Sequence, residues 1–294
     1  MSPNESVQHL WKSSSNHTNV QYDVYKSTKD VIKDFHADHE YKLKNHLVSQ
    51  GSFFSNVLSN SLLKLSSIWS SAQSSLPKNI FNFTIRYINN TLPTRKNLSK
   101  WGLSPTSDCS FCLKPESLLH VIAGCKTYLD QGRFTWRHDS ILHFIATTLQ
   151  AVNGSSLHAD IPGFNSPSIL TGDSQRPDLI LCTTNDCLYV LELTAGFESN
   201  LQNNITRKRA KYKETVNNLC HYHKKVVFVN LSVSALGVFA KDSESFFTML
   251  DELCFDSKHQ KYIIKTITKI AIRSSYYIFC CRNKSWNDPE LMKF

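Results

Sequence analysis

Apolar residues recur at three- or four-residue spacing from Leu58 through Leu62, Leu65 and Trp69, which predicts a helix closed by Pro77. A second short helix is predicted through Ile80, Phe83, Ile85 and Ile88 before Pro93, and a third over 131–150. The stretch 151–175, with Asn153-Gly154-Ser155-Ser156, Pro162-Gly163 and Pro167, reads as loop. The period then shortens. Asp178–Cys182 and Leu188–Leu193 are apolar runs at hairpin spacing, and Lys225–Val233 is a β-branched strand. Between them Leu201–Leu219 carries a helical stripe, and Phe246–Cys254 and His259–Arg273 read as further helices. Strand, strand, helix, strand predicts an α/β domain with a mixed sheet flanked by helices. Residues 1–50 are polar and without sustained period, and are expected to be a partly ordered arm. The remaining divisions are a helical linker at 51–104, a cysteine-containing segment at 105–130, the sheet domain at 131–283 and a tail at 284–294.

Composition narrows the class. Hydrophobic residues are 41% and charged residues 19% of 294, so neither a disordered polyelectrolyte nor a membrane protein is expected. Lys and Arg total 33 against 24 acids, a balance of +9 that favours a polyanionic partner. GxxxxGK, GxGxxG, GxSxG and HExxH are absent, which argues against a nucleotide-cradling loop and two common hydrolase types. The N-terminal MSPNESVQHL has no apolar core behind a basic start, and Ile263–Phe279 is broken by Lys265, Lys269 and Arg273. The expectation is a nuclear or cytosolic protein, not secreted and with no membrane contact. In a reducing compartment nine cysteines read as ligands or core residues.

Cys109, Cys112, His120 and Cys125 form C-x2-C-x7-H-x4-C. Two thiolates two residues apart grip one ion from a tight turn, and Pro115-Glu116 starts a helix that would project His120. Gly124 lets the chain turn so that Cys125 completes a tetrahedron. Three sulfurs and an imidazole suit zinc, and four protein ligands make the ion structural. The other six cysteines, Cys182, Cys187, Cys220, Cys254, Cys280 and Cys281, read as core or incidental.

Arg176-Pro177-Asp178 precedes one strand and Glu192 lies near the end of the next. In a hairpin the two carboxylates approach, and their repulsion calls for a cation such as Mg²⁺. The stripe of the following helix, Leu201, Ile205, Tyr212, Val216 and Leu219, has a gap in its rhythm at Lys208. A lysine on a buried stripe finds its reason in a carboxylate pair beneath it. From Arg207 to Lys225 there are seven basic residues and one acid, Glu214, which suits a phosphate-binding face. The alternative is a solvated helix with Lys208 snorkelling and the acids paired locally.

Leu92-Pro93-Thr94-Arg95-x-Asn97-Leu98-x-x-Trp101-Gly102, the cysteine–histidine segment, Arg137-His138-Asp139, then RPD, E-L-T and K-x-x-K-Y, occur in that order. Together they resemble the carboxyl-terminal part of a site-specific non-LTR retrotransposon polyprotein: a CCHC zinc knuckle followed by a restriction-enzyme-like endonuclease, over roughly 55–283. The resemblance implies a PD-(D/E)XK fold in which Asp178 and Glu192 hold Mg²⁺. Thr194 stands where E-x-K would place lysine, so Lys208 matches instead, with Tyr212 closing the motif. Arg176, Arg207, Arg209, Lys211 and Lys213 are expected on backbone phosphates, and Arg137 and His138 in structural or DNA-positioning roles. The implied reaction is DNA phosphodiester hydrolysis leaving a 5′-phosphate and a 3′-hydroxyl. The implied partners are double-stranded DNA, element RNA and a reverse transcriptase in trans, since the polymerase that precedes the linker in relatives is missing here. The rival expectation is a catalytically inactive, zinc-containing nucleic-acid-binding fragment or domesticated protein.

Overall fold

The computed structural model describes residues 27–46, 53, 56, 57, 60–172 and 175–289, and the chain divides into two units, Met1–His46 and Leu47–Phe294. In the first, Thr28–His46 is a helix, α1, where a partly ordered arm is expected; residues 1–26 lie outside the described residues. Its start is held by Ser27, whose hydroxyl donates to Asp30 at 2.6 Å and accepts from the Asp30 amide at 3.3 Å. Phe35 stacks on His39 one turn along. Helix formers without Gly or Pro need no long-range period to make such a segment.

In the second unit α2 (Ser66–Ser74) and α3 (Lys78–Ile88) follow the apolar spacing, but α2 starts later than predicted: Ser61 bridges Ala240, Leu62 is non-helical and Leu63–Leu65 is a 3-10 turn, while Leu58 lies outside the described residues. A short α4 (Arg95–Lys100) follows, then a wide π-helical turn, His120–Gly124, α5 (Lys126–Asp130) and α6 (Arg133–Gln150). The sheet has the order β1-β2-β3-β4: Ser156–Ala159, Leu179–Cys182, Cys187–Gly196 and Lys225–Ser234. β1, β2 and β3 are antiparallel neighbours, and β4 runs parallel to β3. The crossover from β3 to β4 is α8 (Leu201–Leu219), at the bounds its stripe implies; α7 is Ser168–Thr171. The chain ends in α9 (Glu244–Glu252) and α10 (Ser257–Cys280).

β1 corrects the reading of 151–175 as loop. Four residues of weak alternation pair with the outer edge of β2, Ser156 opposite Cys182 and Ala159 opposite Leu179. The backbone groups of that edge, rather than side-chain pattern, recruit the strand.

Side-chain alternation splits the sheet into two faces. Leu179, Leu181, Tyr189, Leu191, Leu193, Val229, Leu231 and Val233 pack against α6, α9 and α10. Ile180, Leu188 and Val190 face α8 through Leu219 and Val216. A further core joins α3, the cysteine segment and the end of α10 through Phe83, Tyr87, Cys109, Cys125, Tyr128 and Phe279. Gly237, φ +73°, lets the loop after β4 lie directly on α10, where an added Cβ would sit 2.6 Å from Thr268 Cα.

Candidate functional site

The cysteine segment begins as a small antiparallel turn bridging Asp108 and Pro115. Cys109 accepts at its carbonyl from the Leu113 amide (3.1 Å) and donates from its amide to the Lys114 carbonyl (2.8 Å), which closes the turn. Ligand atoms of Cys109, Cys112, His120 and Cys125 all lie within 4.8 Å of one another. Cys112 Sγ is 3.3 Å from His120 Nε2 and 3.8 Å from Cys125 Sγ. Tetrahedral zinc with Zn–S near 2.3 Å requires sulfur–sulfur edges of about 3.8 Å, so the residues fit the ion. Burial lowers the His120 pKa, which keeps the imidazole in its ligating neutral form. The π-helical turn sets His120 and Cys125 on one side. Gly124 has no left-handed φ, and a Cβ there would meet the Leu119 carbonyl at 3.4 Å, close to ordinary contact, so the turn does not depend on a glycine conformation as the sequence suggests.

The linker motif is structural. Thr94 caps α4 by accepting from the Asn97 amide (3.2 Å), and the Asn97 side chain donates to the carbonyls of Asn90 and Leu92. Fully buried Glu116 accepts from the Arg95 amide (2.9 Å), tying this linker to the cysteine turn.

At the far end of β2, Asp178 and Glu192 meet on the face covered by α8. Leu179 opposite Leu191 fixes the register, and Glu192 accepts from the Asp178 amide at 3.3 Å. Lys208 descends from α8 with Nζ 3.1 Å from Asp178 Oδ2 and 2.6 Å from Glu192 Oε2. It also donates to the Leu193 carbonyl, so all three ammonium protons find acceptors. Asp178 additionally accepts from the Leu193 amide (2.7 Å) and faces His138 Nε2 at 3.3 Å, while His138 Nδ1 meets Asp139 at 2.9 Å. Burial would raise Asp178, but His138 and Lys208 outweigh it and hold it well below the usual carboxylate range. Burial, then Asp178, pushes Glu192 up to about 7 against the pull of Lys208. Burial would lower His138, but Asp178 carries it up to about 9, leaving it protonated at neutral pH. Lys208 is raised in the same way, its carboxylate partners outweighing burial.

Tyr212 is buried, donates to the Arg176 carbonyl (2.7 Å) and stacks on Phe228; burial and Glu192 keep its hydroxyl protonated. Arg207, Arg209, Lys211 and Lys213 are exposed on α8, with Arg209 paired to Asp242 at 3.0 Å and Lys211 folded onto the Tyr212 hydroxyl at 2.7 Å. An open groove of about 890 Å³ beside them is lined by Arg209, Lys213, Phe228, Asn230 and Lys241 among others. Arg176 is half-exposed and pairs with Asp160 at 2.9 Å. Arg137 cannot serve on a nucleic-acid surface: it is 1% exposed and donates to the carbonyls of Ile122 (3.1 Å) and Ala195 (3.2 Å). On a helix its neighbour His138 points elsewhere, and that residue alone of the pair reaches the acids.

Sequence reasoning missed Asn230, which stands beside Glu192 in the β3–β4 register and is buried. Its signal was present in V-N-L-S-V-S, where Asn230, Ser232 and Ser234 make one polar face in an otherwise β-branched strand.

A family model described as zinc-binding in reverse transcriptase matches residues 45–130, the linker and the cysteine–histidine cluster. The match supports a retrotransposon-derived protein with a zinc site, and with the Cys3His cluster it supports structural zinc. It ends before α6 and the sheet. No curated protein matches the chain. No helix among the described residues is long and apolar enough to cross a membrane.

Proposed function

We propose that the chain is a metal-dependent DNA endonuclease of retrotransposon origin, with residues 131–283 acting as a PD-(D/E)XK-type domain and 105–130 as its zinc knuckle. The observation that carries the reading is Lys208 bonded to two carboxylates, half-buried Asp178 just before β2 and buried Glu192 on β3. Two hard oxygen donors, one with its affinity for a proton raised, fit a divalent cation. Mg²⁺ held by Asp178 and Glu192 would supply Lewis-acid stabilisation of the phosphate and a more acidic attacking water. Lys208, beside both carboxylates, would orient the attacking water or offset charge developing on phosphorus. His138 fixes the Asp178 carboxylate, and Tyr212 holds the Arg176 backbone that leads into it. Arg207, Arg209, Lys211, Lys213 and Arg176 position the DNA by its backbone without reading sequence. The substrate is double-stranded DNA in the nucleus; element RNA and a reverse transcriptase in trans are the further partners.

A supercoiled-plasmid assay tests this. Nicking is expected only with Mg²⁺ and is expected to fall at least about a hundredfold, the scale of one electrostatic catalytic group, in Asp178→Ala and Lys208→Ala. Absence of metal-dependent nicking in the wild-type chain, with salt-sensitive DNA binding retained, overturns the catalytic reading in favour of a binding protein.

A further inference from the structure

A second ligand cluster lies on the same face of the sheet as the acids but at the other end of β2, about 13 Å away at 3.3 Å per residue. Cys182 closes β2, Asp186 sits in the turn before β3, and His223 lies between α8 and β4. One ligand atom from each falls within 4.8 Å of the other two, and all three are half-buried. His223 Nδ1 is 2.7 Å from Asp186 Oδ1. Asp186 Oδ2 accepts from the Lys224 amide at 3.0 Å, and the residue is held at φ +58°. The Cys182 thiol contacts the Thr183 carbonyl at 3.9 Å.

We propose that Cys182, Asp186 and His223 form a second transition-metal site, of zinc class, with three protein ligands and a fourth position open to water. A thiolate, a carboxylate and a neutral imidazole balance a divalent charge, and the sulfur–nitrogen pair selects zinc, cobalt or nickel over magnesium. The three donors come from three segments, so the ion cross-links the β2–β3 turn to the entry of β4, at the end of the sheet away from the acids. The Cys182 thiol gives up its proton on binding, so occupancy rises with pH. This site is independent of the nuclease reading. Cys187, on the opposite face of the sheet among the α9 and α10 contacts, has no part in it.

The test is zinc content of the full-length chain after dialysis. Two zinc ions per chain are expected in the wild type and in Cys187→Ser, and one in Cys182→Ser and His223→Ala, with folding checked by circular dichroism. One zinc in the wild type, or two retained in both variants, overturns the proposal. If the variants do not fold, the metal-stripped wild-type chain titrated with cobalt decides alone: thiolate-to-cobalt absorption that keeps rising to two equivalents supports the site, and saturation at one equivalent overturns it.

Discussion

Lys208 has three donors and spends all three inside the protein, on Asp178, Glu192 and the Leu193 carbonyl. Replacing it with Met keeps much of the stem's packing and deletes the charge. The two acids then differ in fate. Asp178 keeps His138 and the Leu193 amide, whereas Glu192, 1% exposed, loses its cation. Removing one member of a buried ion pair costs about 3 kcal/mol. Glu192 can shed that cost by taking a proton, which it holds more tightly once Lys208 is gone. With the wild-type carboxyl pushed up to about 7, the destabilisation of Lys208→Met is therefore expected to grow by about 1 kcal/mol between pH 6 and pH 8, read by urea unfolding in the absence of metal. A pH-independent difference would mean that the lysine acts through packing alone.

Arg137 shows what an element asks of one side chain. From α6 it reaches the Ile122 carbonyl, in the turn that positions the zinc ligands, and the Ala195 carbonyl near the end of β3. Burial lowers its pKa to about 10 despite the nearby Tyr87 and Glu198, so it remains charged at neutral pH. A lysine has no planar fork to span the two carbonyls. Arg137→Lys and Arg137→Ala are both expected to lose about 3 kcal/mol of stability. DNA affinity measured on the folded fraction should be unchanged; a selective loss of affinity with stability intact would put the residue back at the nucleic-acid surface. The sequence made much of this level legible, because α8 has its own complete stripe and a single interruption, at Lys208, that has a chemical cause. The four zinc ligands were legible for the same reason, being local in sequence. β1 was not, since its pairing is decided by the open edge of β2. Nor was the split between Arg137 and His138, adjacent residues on one helix, because which of them faces the core depends on a turn and a strand far away in sequence.

At the scale of the whole molecule, three buried groups with raised pKa values act in one direction between pH 5 and pH 9. Glu192 and Glu198 have folded pKa values near 7, above those of unfolded carboxylates, so the folded chain holds extra protons and loses stability as pH rises from about 4.5 to 7. His138, raised to about 9, contributes stability that is full below about 6.5 and is lost as pH rises through 9. The depressed Asp178 works the other way: its contribution is full above about 4 and is lost as pH falls below that. Metal-free protein is therefore expected to melt progressively lower from pH 5 to pH 9, and Glu192→Gln should remove part of that slope. On the proposed function, a divalent metal held by Glu192 would reverse the balance at one point, by favouring its ionised form. Mg²⁺ should raise the melting temperature at pH 8 and have little effect at pH 5.5, where it must displace a proton. Zinc differs because its ligands sit in the core with Tyr128, Phe83 and Phe279. Stripping it with a strong chelator leaves three sulfurs facing one another and should cost several kcal/mol, about 10 °C for a unit of this size. Equal Mg²⁺ effects at both pH values would remove Glu192 as a metal ligand, whatever the chelator does.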